Sequence, residues 1–252
     1  MKYILLLFFF FTISAFAQDN RSIHVFVALC DNDHQGISPV SKALGNGKDP
    51  KNNLYWGALY GVKTYFKNSA NWQLIETQID PAQNILERCI FKHKTSGVYL
   101  IADAYDGEQI QKCTEDFLEA LSVNCNTEIT VAGEKVETGG LAELIVYVGH
   151  NGLMDFTLSD HPENNLNQPK DAIILSCISK EFFSDALKAA KANPLIWTTG
   201  LMAPEAYTLE AAIEGWIKKE SSIQIESRAA TAYSKYQKCS VSAAKNLLAT
   251  GW

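Results

Sequence analysis

Apolar residues recur along this chain in two rhythms, and the alternation between them sets out the architecture. Short runs rich in Ile and Val occur at residues 97–102, 144–148, 172–175 and 194–197, and residues 22–29 alternate and then run apolar through Ile23, Val25, Val27 and Leu29. Each is long enough for one strand and too short for a helix, and a run without polar alternation suits a parallel strand covered on both faces. Residues 72–79 alternate and predict a further strand. Between the runs, apolar residues fall three and four apart. Leu54, Ala58, Val62 and Tyr65/Phe66 predict a helix from a cap at Asn53 to about Lys67. Asp80-Pro81 reads as a helix start, and Ile85, Leu86, Cys89 and Ile90 as that helix's buried face. Ile110, Cys113, Phe117, Leu118 and Leu121 mark another helix, and residues 181–191 one more, with Phe182, Phe183, Ala186 and Leu187 inward. Residues 124–140 read as a hairpin around Ala132-Gly133, and helices near 205–219, 226–237 and 240–249 close the chain. Strand and helix alternate throughout, so the expected fold class is α/β: a doubly wound, mostly parallel sheet flanked by helices, with a helical C-terminal part.

The N-terminus follows neither rhythm. Lys2, an apolar stretch at residues 4–11 and Ala15-Phe16-Ala17 make residues 1–17 a secretory signal peptide. The expected organisation is that peptide followed by one α/β domain over residues 18–252, periplasmic or secreted. No cysteine follows the cleavage site to take a lipid anchor, and no membrane association is expected after cleavage. Lys2 is the only charged side chain removed, so the formal charge moves from −6 to −7. An acidic chain without a basic run argues against nucleic-acid partners and anionic membrane surfaces. The 6 cysteines, Cys30, Cys89, Cys113, Cys125, Cys177 and Cys239, permit disulfides in an oxidising compartment, but the count does not assign them.

Chemistry concentrates at the ends of the buried runs. His150 follows the 144–148 run inside Gly149-His150-Asn151-Gly152, and Cys177 follows the 172–175 run. Ligands of open α/β sheets bind outside the carboxyl ends of the strands, so two neighbouring strands deliver an imidazole and a thiol to one edge. The first strand ends there too, at Cys30. It opens into a long polar loop, residues 31–51, carrying Asp31, Asp33 and His34, and loops of this length in a compact domain are usually functional. Gly45–Lys48 lacks the Gly-Lys-Ser/Thr ending of a phosphate loop.

Strand–His, spacer, strand–Cys resembles the caspase-like fold of cysteine peptidases, the group of caspases, legumains, gingipains and separases. The resemblance covers about residues 22–200 as topology and His150 and Cys177 as motif. It implies that Cys177 is the nucleophile, that His150 is its acid or base, and that main-chain N–H groups of Asn151 and Cys177 form the oxyanion hole. It also implies a first strand lying beside the His150 strand. The family has Gly directly after the His, where this chain has Asn151, and usually Ala before the Cys, where this chain has Ser176. The chain also resembles a family of uncharacterised secreted bacterial proteins sharing Gly-His-x-Gly-Leu-Met-Asp-Phe, which implies no activity.

Three functions are compatible with these residues. The first is a cysteine hydrolase acting on a peptide or small-molecule substrate without a cofactor, with His150 and Cys177 catalytic and Asn151, Gly152, Asp155, Asp31 and His34 as substrate contacts. The second is a non-catalytic binding protein on the same fold, with Tyr55, Trp56, Tyr60, Trp197 and Tyr207 available to line a pocket. The third is a zinc site assembled from Cys30, His34, His150, Cys177 and Asp155, although no close ligand pair is present.

Overall fold

The computed structural model describes residues 21–252, so the expected signal peptide lies outside the described residues. Strand β1, Ser22–Ala28, is buried along its whole length and takes a central place. It pairs in parallel with β4, Tyr99–Tyr105, on one side and with β7, Leu144–Val148, on the other. β8, Asp171–Leu175, and β9, Asn193–Thr198, extend the parallel block beyond β7. Antiparallel strands finish both ends. β2, Trp72–Ala82, and β3, Ile85–His93, form a hairpin beside β4, and the two-residue β10, Leu248–Ala249, pairs with β9. The eight-stranded order is β10-β9-β8-β7-β1-β4-β3-β2. The chain is therefore α/β with a mostly parallel mixed sheet, as the alternation of runs predicts.

Alternate residues of β1 feed two cores. Ile23, Val25 and Val27 face α1, Val62–Asn68, and the C-terminal helices α4, Ala206–Ile217, α5, Ser222–Gln237, and α6, Val241–Leu247. Phe26 and Ala28 face α2, Ile110–Leu121, and α3, Ser179–Ala189. Strands buried on both faces have no solvent side to mark with polar residues, which is why these segments read as continuous apolar runs. The expected 124–140 hairpin is present as β5, Asn126–Val131, and β6, Glu134–Gly139, and its Val131 and Val136 pack on Ile90, Tyr99 and Ile101.

Two local readings are corrected. The segment after Asp80-Pro81 is the strand β3, and not a helix. Its spacing of Ile85, Leu86, Cys89 and Ile90 fits a helical face, but Ile85, Glu87, Cys89, Phe91 and His93 also alternate, and all five are buried. Partners on both sides, β2 and β4, decide between the two. Asp80 and Asn84 have φ of 47° and 66°, left-handed conformations that turn the chain from β2 into β3. The helix expected from Asn53 begins only at Val62. Asn53 is a fully buried cross-brace: its amide accepts from Cys30 N–H at 3.0 Å and donates to the carbonyls of Cys30 at 2.8 Å and Asn46 at 3.1 Å. A side chain committed to three loop contacts holds residues 50–61 in turns.

Candidate functional site at the carboxyl edge

The register places Val27 opposite Val148, and Val148 opposite Leu175. The chain leaves β1, β7 and β8 at the same level, so Cys30, His150 and Cys177 emerge at one edge. Gly149 makes the exit from β7. Its φ is +144°, and a Cβ there would lie 2.7 Å from the Ala28 carbonyl oxygen, so a side-chain-bearing residue would push β7 off β1.

His150 is 6 % exposed. Its Nε2 lies 2.8 Å from Asp155 Oδ2, and its main-chain carbonyl accepts the Tyr147 hydroxyl at 2.8 Å. Among the described residues Nδ1 has no hydrogen-bond partner. Asp155 follows a single 3-10 turn, Gly152–Met154, which Asn151 caps by accepting the Leu153 N–H at 3.1 Å. Five residues of tight turn thus bring the carboxylate back onto the ring. Gly152, inside that turn, is buried against Phe156 and Ile110.

Cys177 is partly exposed and sits two residues before α3, whose N-cap, Ile178, is left-handed with φ +50°. The sulfur meets the loop after β9: Met202 N–H donates to Sγ at 3.4 Å, and the thiol reaches Met202 carbonyl oxygen at 3.6 Å. No hydrogen bond joins Sγ to the His150 ring in this arrangement. The two loops are nonetheless tied, because Asn151 Nδ2 donates to the Cys177 carbonyl at 2.7 Å. Ser176 is fully buried, its carbonyl accepting the Thr198 hydroxyl and its own hydroxyl finding no partner among the described residues.

The other expected site residues divide. Asp31 is buried and closes its own turn, accepting from the N–H groups of Asp33 at 2.9 Å and His34 at 3.2 Å and pairing with His34 Nδ1 at 3.0 Å. That bond raises the His34 pKa above its ordinary value. Both residues line a cavity of about 460 Å³ with Asn32, Asp33, Lys42 and Lys48. Gln35 is the loop's hidden support, donating to the carbonyls of Leu29 at 2.7 Å and Gly107 at 3.0 Å. Cys30 is fully buried, and burial pushes its thiol up to about 11. The Tyr55 hydroxyl is raised too, by burial and by the nearby Cys30 and Cys177 sulfurs. Trp56 and Trp197 are fully buried and Tyr55 and Tyr207 nearly so, which puts them in the core; Tyr60 stacks edge-on against Tyr207. All six cysteines are free thiols.

Comparison with family models, with curated proteins and with solved structures finds no match. Among the described residues, no group of three or more His, Cys, Asp or Glu side chains is arranged to hold a metal ion. The expected convergence of Cys30, His34, His150, Cys177 and Asp155 on one ion does not form: His34 is turned to Asp31 and His150 to Asp155. The main contact missed from the sequence is Met202, which meets the thiol through its backbone. A main-chain contact leaves no trace in residue type; the signal available was position, since residues 198–204 leave β9 at the same edge.

Proposed function

We propose that this chain is a secreted, caspase-like cysteine hydrolase, acting on peptide or other acyl substrates through Cys177 and His150. The observation that carries this reading is the Asn151 amide bonded to the Cys177 carbonyl, which ties the residue after the imidazole to the residue bearing the thiol. It also gives a use to Asn151 where the family has Gly. The pairing of β1 with β7 supports the caspase-like reading, since that fold sets the first strand beside the His strand. The Asn151 and Cys177 N–H groups make no hydrogen bond among the described residues. They are available for a developing oxyanion.

The chemistry follows from these placements. His150 Nδ1 takes the Cys177 proton, directly or through one water, leaving thiolate and imidazolium. Met202 N–H and the N-terminus of α3 are placed beside the negative sulfur. Sulfur attacks the acyl carbon, the C–S bond forms, and the carbonyl electron pair moves to oxygen. On collapse the C–N or C–O bond breaks, and the leaving group takes the proton from the imidazolium. Water, deprotonated by the same nitrogen, then cleaves the thioester and restores the thiol. Asp31 and His34, beside their cavity, are proposed as more distant substrate contacts.

A second reading, a binding protein without turnover, rests on the sulfur being bonded to Met202 rather than to His150. Brief iodoacetamide labelling at pH 6.5 with mass-spectrometric mapping separates the two. Cys177 is expected to label first, with His150→Ala slowing it roughly tenfold at that pH and a higher pH restoring the rate. Labelling that ignores His150→Ala removes the base and favours the binding protein.

A further inference from the structure

We infer that Asp155 is the positioning residue of this site, fixing the His150 tautomer, and that the Gly36 turn of the 31–51 loop sets where that carboxylate stands. The inference rests on the hydrolase reading for its purpose, but its geometry is independent of it. One oxygen, Asp155 Oδ2, serves two partners: His150 Nε2 at 2.8 Å and Gly36 N–H at 2.9 Å. An ionised carboxylate only accepts hydrogen bonds, so Nε2 carries the ring proton and Nδ1 carries the lone pair. Nδ1 is the nitrogen left without a partner, and it alone can accept a thiol proton. When it does, Asp155 faces an imidazolium and balances its charge. The carboxylate touches neither thiol nor acyl group and acts only through the ring.

The coupling to Gly36 is steric as well as polar. A Cβ at Gly36 would lie 2.3 Å from Asp155 Oδ1, the far end of a flexible side chain. Alanine there is accommodated by moving the carboxylate and leaves the backbone in place. The loop that carries Asp31 and His34 thus reaches the base through a single shared oxygen. A ligand that displaces the 33–36 turn would change the ring's proton before it touched the thiol.

Long-range ¹H–¹⁵N correlation spectra of the full chain, with the His150 signals assigned from His150→Gln, report the tautomer directly. His150 is expected as the Nε2–H form. Asp155→Asn keeps the shape, but its amide can donate to Nε2 and so populates the Nδ1–H form; Asp155→Glu restores the native pattern. Gly36→Ala is expected to give the same mixture as Asp155→Asn, and both to slow Cys177 alkylation at pH 6.5 roughly tenfold. A wild-type Nδ1–H form overturns the inference. So does a tautomer unchanged in both variants. A tautomer shift as expected, with alkylation insensitive to His150→Ala, upholds the positioning role and overturns the hydrolase reading instead.

Discussion

His24 and His150 each present Nε2 to a carboxylate oxygen, at 3.0 Å and 2.8 Å, and both rings are almost fully buried. Around His24 every polar valence is used. Its Nδ1 accepts Gly139 N–H at 3.0 Å and meets the Thr138 hydroxyl at 3.1 Å, which pins the β5–β6 hairpin to the sheet. Its partner Asp103 takes two further bonds from Arg88, at 2.6 and 2.7 Å. Burial alone would raise the Asp103 carboxyl, and the Arg88 and His24 bonds overcome it and hold the group below its usual range. Thr138, His24 and Asp103 repeat the order hydroxyl, imidazole, carboxylate of a hydrolase triad, yet all three are buried. Around His150 one nitrogen is free and the thiol loop is adjacent. Residue types and pair geometry are therefore the same at the two histidines; what differs is that, among the described residues, His150 keeps an unspent valence beside a partly exposed thiol.

The largest expected effect tests the closed pair. Asp103→Ala leaves the buried His24 and the half-buried Arg88 without their anion and should cost about 3–5 kcal/mol. Asp155→Asn, at a partly exposed carboxylate, should cost less than about 1 kcal/mol. Urea denaturation of the two variants checks this, and equal losses would erase the distinction. Thiols sharpen the same contrast. Burial pushes Cys30 up to about 11 and Cys89 up to about 12, and Cys113 is also raised by burial. At pH 8 a thiol of pKa about 11 is ionised to about one part in a thousand. Cys177 should therefore alkylate at least ~100-fold faster than these three in the folded protein. Comparable rates would place the thiol in the closed class.

Smaller effects probe what joins the loops. Asn151→Ala leaves the Cys177 carbonyl without its donor and should cost about 1–3 kcal/mol in thermal or urea unfolding. A neutral result would show that the His150 and Cys177 loops hold their places without that bond. A third pair, His93 Nε2 with Glu214 Oε1 at 3.1 Å, is intermediate in burial. The His93 bond, opposed by burial, holds the Glu214 carboxyl below its ordinary 4.5. A depressed carboxylate contributes stability that is present above about pH 4.5 and lost as pH falls through the folded value. Glu214→Gln should lower the unfolding free energy measured in urea at pH 6 by less than about 1 kcal/mol, with the deficit shrinking as the pH falls below 4.5. A deficit as large at pH 3 as at pH 6 would assign the loss to packing.

The sheet was legible because β1, β4, β7, β8 and β9 are buried on both faces and leave a mostly apolar signature, broken in β1 by His24 and in β4 by Asp103. Of the candidate site, position alone was legible: His150 and Cys177 follow β7 and β8, as the apolar runs before them predict. What escaped depends on partners distant in sequence. β3 satisfies both a helical and an alternating pattern, and only β2 and β4 decide it. Asp155 reads from the sequence as a substrate contact or a zinc ligand, and only the 3-10 turn that brings it back onto His150 shows it as the partner of that ring. Asp31 reads as a substrate contact from its residue type and loop, but the turn that it closes with Asp33 and His34 shows only in the structure.

The place of β1 has a consequence for how the chain acquires its structure. Ile23 lies opposite Leu100 and opposite Leu144, so this inner strand of the sheet precedes both of its partners, which follow far along the chain. Until β4 and β7 arrive, it is an apolar segment with two unpaired edges. Pairings across such sequence distances close slowly, and chains dominated by them fold over milliseconds to seconds. Aggregation during that interval competes with folding, and it begins most readily from this strand. Solubility in the cell should thus respond more to a charge placed in β1 than to one placed in β9, even where the finished structure would tolerate neither.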